Sequence, residues 1–270
     1  MRVYFFKWLV PLFCALCVTS AQAEDLTFKG DYVFSWSGLR LGKLHLEMQQ
    51  DDAQYNVESK LKTAGIVAFF SNHKSTTKVS GKKLTSNSLR PTAYRSDYRS
   101  GGKDKSIEMK YDAQGNVIKE EVLPWRGARP EVTDELKSGV GDSLTAILSM
   151  RSAIKDALAK NQTNIQVPVF DGVRRFDLHA RILDKNSSIK LDDKSIPVVK
   201  LSLKRVPLGG FKEKELKKMA KGEPELQFFI EKEHFTLLGL QVELYGGTVT
   251  AWRKKACVNE ECSPNQMASK

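Results

Sequence analysis

From Phe28 to Tyr111 apolar and polar residues alternate with a period of two, which commits this half of the chain to β-strands with one wet face. The run Leu39-Arg40-Leu41-Gly42-Lys43-Leu44-His45-Leu46-Glu47-Met48 carries the pattern for most of its length. Gly38 or its neighbours turn the chain back from Tyr32–Trp36, and further strands are expected at Tyr55–Thr63, Lys74–Ser80, Pro91–Tyr98 and Ser106–Tyr111. Ala113-Gln114-Gly115-Asn116 is a turn signal with Val117–Val122 as the return strand, so the segment reads as an antiparallel meander.

A helix interrupts the pattern at Asp142–Ala159. Leu144, Ile147, Leu148, Ile154 and Leu158 fall on one stripe at helical spacing. Asp142 is the expected cap, because its carboxylate can accept the orphan amides of the first turn. Strands resume at Ile165–Phe170, turn at Asp171-Gly172, and return over Arg174–Ile182. Val198–Leu203, Leu226–Ile230, Phe235–Leu244 and Thr248–Trp252 complete the β content, with Gly246-Gly247 joining the last pair. The lysine-rich stretch Phe211–Lys221 is readable as a short helix or as a loop. The fold class is therefore mainly β: a curved antiparallel sheet, an open or nearly closed barrel, with one amphipathic helix packed across it. So long a meander needs covering or near-closure to protect its edges.

The N-terminus has the layout of a cleaved export signal. Arg2 and Lys7 precede the apolar run Trp8–Val18, and Ala21-Gln22-Ala23 offers a cleavage site after Ala23. The run is too short to span a bilayer, and Phe13 and Leu16 before the two cysteines disfavour lipidation. The expected organisation is a leader over residues 1–23, one β-rich domain over 24–256 and a tail over 257–270, disordered after Cys262. The expected location is the periplasm, and no later stretch approaches membrane-spanning length.

Loss of the leader takes the formal charge from +11 to +9, with lysines spread along the chain. Spread charge of this kind is solvated surface or attracts anionic envelope surfaces; nucleic acid is not expected as a partner. Cys14 and Cys17 leave with the leader, so Cys257 and Cys262 pair in an oxidising compartment as a local clip.

Chemistry-bearing motifs are sparse. Gly141-Asp142-Ser143-Leu144 matches one esterase signature, but no Asp-x-x-His follows to supply its base, and a helix cap explains the same residues. His45, His73, His179 and His234 show no metal-ligand spacing. No phosphate-cradling loop or metallohydrolase motif is present, and no catalytic, metal or cofactor-binding residue is assigned. The apolar segment Ala64–Phe70 either plugs the core or forms a lip, with Ile66, Val67, Phe69 and Phe70 contacting an acyl chain or membrane.

Five spaced elements carry a resemblance: Gly38-x-x-x-Gly42, Thr63-x-Gly65, Leu89-x-Pro91-x-x-Tyr94, Gly141-Asp142-x-Leu144, and Val169-Phe170-Asp171-Gly172-x-Arg174. Over Tyr32–Trp252 the chain resembles the exported bacterial domain-of-unknown-function family DUF3108. The resemblance implies a periplasmic, β-rich protein and brings no catalytic residues. More loosely, the layout is similar to the curved sheets of periplasmic lipoprotein carriers, where a helix plugs a concave apolar face. The leading functional expectation is a non-enzymatic periplasmic module that binds a lipid-like or apolar ligand. The alternatives are an envelope scaffold for another protein or the cell wall, which predicts a filled barrel, and a hydrolase using Ser143.

Overall fold

The computed structural model describes residues 25–64, 73–85, 88–124, 129–191 and 194–264. The N-terminal meander contains β1 (Leu26–Trp36), β2 (Leu39–Gln50), β3 (Gln54–Thr63), β4 (Lys74–Thr85), β5 (Ser88–Ser100), β6 (Lys103–Tyr111) and β7 (Val117–Leu123). A crossover follows, carrying a 3-10 turn at Glu135–Lys137 and helix α1 (Thr145–Ala159). The second meander contains β8 (Asn164–Phe170), β9 (Arg175–Leu191), β10 (Lys194–Gly209), helix α2 (Glu213–Ala220), β11 (Leu226–Glu231), β12 (Leu237–Leu244), β13 (Gly247–Val258) and β14 (Glu261–Pro264).

All of these strands join one curved, open antiparallel sheet. Its order is β7-β6-β5-β4-β3-β2-β1-β13-β12-β11-β10-β9-β8, with β14 added on β13. The two meanders meet where the first strand pairs with β13, so β7 and β8 end the sheet and the crossover connects them. α1 lies in the hollow between the halves. Leu144 and Leu148 join the cluster of Phe28, Tyr55 and Met109 in the first meander. Ala146, Ile154 and Ala157 join the cluster of Val167, Phe176, Val199 and Ile230 in the second. The apolar stripe thus serves both halves, which is why one helix suffices to tie an open sheet together.

Local chemistry sets the turns. Ser37 and Gly38 both have left-handed backbone (φ 44° and 87°), as a two-residue hairpin between right-twisted strands requires. The β8–β9 hairpin differs from the expected two-residue Asp171-Gly172 turn. It is a four-residue loop in which Asp171 accepts the Val173 and Arg174 amides and holds the Arg174 guanidinium. The last hairpin turns through Tyr245-Gly246 rather than Gly246-Gly247, because Gly247 is already paired with Leu244.

Other boundaries also move. The helix proper starts at Thr145 instead of Asp142, after a turn whose amides Asp142 holds. Phe211–Lys221 contains a second helix, α2, because Glu215 accepts the Lys212 amide at its start and is clamped by both terminal nitrogens of Arg129. β9 and β10 run well beyond Arg174–Ile182 and Val198–Leu203. Their distal halves form a mostly exposed ribbon in which alternation fades, so the pattern underestimates them. The division at residue 256 falls inside β13, where Ala256 is buried in the core. Residues after Cys262 continue as strand to Pro264, since Ala256 pairs with Ser263 and Lys255 with Pro264. The Cys257–Cys262 disulfide closes this hairpin.

Candidate functional site

Between α1 and the inner face of the sheet lies a cavity of about 320 Å³. The helix contributes Ile147, Met150 and Ile154, and the sheet faces them with Leu44 and Leu46 of β2 and with residues of β9 to β12. Strand register explains its apolar walls. Leu201, Phe228, Leu240, Ala251, Phe34 and Gly42 stand side by side on six neighbouring strands. The next row towards the hairpin tips is Leu203, Leu226, Val242, Val249, Trp36 and Leu39. The first row is buried or half-buried; the second ends at Trp36 and Leu39, which are exposed. An apolar trough therefore runs from beneath the helix to the rim of the sheet.

Few polar groups touch this space: Ser59, Ser143, Arg151 and Thr236. Thr236 belongs to a buried cluster at one end. It donates to Glu231 Oε2 at 2.9 Å and accepts from Arg253 Nη1 at 2.7 Å, while Glu231 also takes the Glu233 and His234 amides. Beside them Tyr32 donates to the Leu237 carbonyl at 2.7 Å. Burial pushes the Tyr32 phenol far above its ordinary value, against the opposing pull of Arg253, so it stays a neutral donor. Most of these groups satisfy one another, the buried Arg253 Nε being left without a hydrogen-bond partner, and so they present little free polarity to the trough.

Asp142 anchors the helix end of the site. It is wholly buried, accepts the Leu144 and Thr145 amides at 2.8 and 2.9 Å, and takes the Thr145 hydroxyl at 2.6 Å. Thr145 is in turn bonded to the Tyr55 hydroxyl across to β3. Ser143, next to this anchor, is exposed at the trough, where among the described residues no histidine and no carboxylate lines the wall. The four histidines are dispersed. His45 bonds Asp31 and Glu47, the His73 ring lies tilted beside that of Tyr98, His179 is exposed, and His234 lies by Glu233. Ligand atoms of Glu231, Glu233 and His234 do fall within 4.8 Å of one another, but the Glu231 carboxylate already serves Arg253, Thr236 and two amides.

Ile66, Val67, Phe69 and Phe70 lie outside the described residues, as does the leader with its cleavage site. Among the described residues no helix is long and apolar enough to cross a membrane. The site residues that sequence alone does not isolate are Leu44, Leu178, Leu203, Phe228 and Leu240. Each reads as an ordinary inward-facing strand residue, and only the register brings them together.

Residues 31–251 match the family described as Protein of unknown function (DUF3108). The chain belongs to this family. The match spans both meanders and the helix, and so covers every residue that lines the trough in this family member. No curated protein matches the sequence. Among solved structures the chain is similar to a beta-barrel-like protein of domain-of-unknown-function family DUF1849 from Brucella abortus. The identity is 11%, with 86% of this chain and 98% of that chain covered and a TM-score of 0.49.

Proposed function

We propose that this DUF3108 member is a non-enzymatic binding module for a lipid-like ligand, working in the periplasm after removal of residues 1–23. The observation that carries the proposal is the cavity beneath α1. At about 320 Å³ it is at the small end of the usual range for ligand sites, about 300–1,000 Å³, and its walls are almost wholly side-chain hydrocarbon. Such a site selects by apolar contact at about 0.8 kcal/mol per buried methylene, which suits one acyl chain better than a polar metabolite. The absence of a base beside Ser143 among the lining residues argues against hydrolysis there. The leader layout and the Cys257–Cys262 disulfide support the oxidising compartment. A larger depression of about 620 Å³ is lined in part by charged side chains such as Glu58, Lys78, Arg95 and Glu108, and gives an acyl chain less apolar wall than the trough does.

Titration of the processed protein with a fluorescent fatty acid tests the reading. Saturable uptake is expected, weakened at least tenfold by Ile147→Trp, which fills the trough from a half-exposed helix position. Absence of saturable uptake, or equal uptake by Ile147→Trp and Leu240→Asp, would overturn it.

A further inference from the structure

We infer that one end of the sheet docks on an anionic phospholipid surface. The inference goes beyond the binding proposal and does not depend on what fills the trough. Two neighbouring hairpin tips share this end: Ser37-Gly38 between β1 and β2, and Tyr245-Gly246 between β12 and β13. They are tied where the Ser37 amide donates to the Thr248 carbonyl at 2.9 Å. The tips expose Trp36 (42%), Leu39 (61%), Leu244 (43%) and Tyr245 (108%). Trp and Tyr favour the headgroup region, where an apolar ring with a polar edge meets both environments.

Charge provides the second, independent observation. On the outer face of the same end Lys43 stands opposite Lys62, and Lys62 opposite Lys74. All three are exposed, as is Arg40 nearby, and none has an ion-pair partner among the described residues. Like charges directly opposite one another destabilise a sheet. Farther from the tips on β3, β4 and β5 several charges are matched: Glu58 lies between Lys60 and Lys78, and Arg95 between Asp97 and Glu108. The unmatched lysine row fits an external layer of negative charge.

The spacing fits as well. Lys43 pairs with Val33, three residues from Trp36, or about 10 Å along the strand. Interfacial apolar groups reach roughly 5–10 Å into the headgroup boundary. Seated to that depth, the tips would hold the lysines level with lipid phosphates. The apolar rows inside the sheet would then open at the rim facing the acyl region.

Co-sedimentation with vesicles tests this. The processed protein should bind phosphatidylcholine–phosphatidylglycerol vesicles, bind phosphatidylcholine vesicles far more weakly, and release in high salt. The K43E/K62E/K74E variant should lose at least roughly 100-fold in affinity, taking about fivefold for each lysine removed from near the surface. The L244S/Y245S variant, which changes exposed tip residues outside the trough rows, should lose at least tenfold. Both should keep vesicle-free uptake of the fluorescent fatty acid, which separates this inference from the proposed ligand. Equal binding to both vesicle types, or anionic binding that survives both variants, would overturn it. Loss of fatty-acid uptake with vesicle binding intact would count against the trough reading alone.

Discussion

Replacing Asp142 tests how the helix that forms the trough is held. Asp142→Ala removes an acceptor that takes two amides and one hydroxyl, all buried. Loss of a cap costs about 1 kcal/mol, and donors left buried without an acceptor add about 1–3 kcal/mol. A total near 3 kcal/mol lowers Tm by about 6–12 °C in a domain of this size. Asp142→Asn should behave differently. Its carbonyl can still accept both amides, and its NH₂ can donate to Thr145 Oγ1, which then donates to Tyr55. Burial raises the Asp142 carboxyl above its ordinary value despite the hydrogen bonds to Thr145 and Leu144 that pull it down. The folded protein therefore holds this proton more tightly than the unfolded chain, and Asp142 costs stability as pH rises from about 4 upward. The Asn variant escapes that cost and should lie within about 1 kcal/mol of wild type at neutral pH. Urea unfolding of the three proteins, with slopes compared, measures this. If Asn costs as much as Ala, a buried negative charge rather than an acceptor holds the joint, and the reasoning is wrong. If Ala costs nothing, Asp142 does not anchor α1.

Three further outcomes follow from the same structure. Hydrogen bonding to Arg129 is the main cause that holds the Glu215 carboxyl down from 4.5 to about 2. Its stabilisation is thus present above about pH 4.5 and is lost as pH falls towards 2. Urea melts at falling pH should show wild type losing about 1–2 kcal/mol more than Glu215→Gln, after allowance for the pair's partial exposure. Gly239→Ala drives a methyl group into the Trp252 ring and should cost about 3 kcal/mol by thermal melting, relieved in part by adding Trp252→Leu. Replacing Cys257 and Cys262 with serine should cost no more than about 2 kcal/mol, because the closed loop is short. Faster hydrogen exchange should be confined to the β13–β14 hairpin.

Much of the sheet is legible in the residues. Period-two runs mark the first six strands because each has a drier and a wetter face, the mostly exposed β7 is legible only from the turn before it, and Gly38 and Gly115 mark turns where positive φ is needed. The helical stripe is legible too, although its residues divide between two clusters. β9 and β10 are underestimated because Asp184–Asn186 and their surroundings are exposed, so nothing imposes alternation. α2 is ambiguous because it buries no residue, and its anchor, Arg129, is 86 positions from Glu215. The trough and the lysine row are invisible for one shared reason. Leu44 and Leu240 come to line one cavity, and Lys43 and Lys62 to stand opposite one another, only through strand register, which a hydrophobicity pattern fixes to a face but not to a partner.

Native mass spectrometry of the protein purified from the envelope of an exporting host tests the binding account most directly. The account predicts a bound species of acyl-chain mass in wild type that is lost in Ile147→Trp. Recovery of only ligand-free wild-type protein, together with failure to take up added fatty acid, would contradict it.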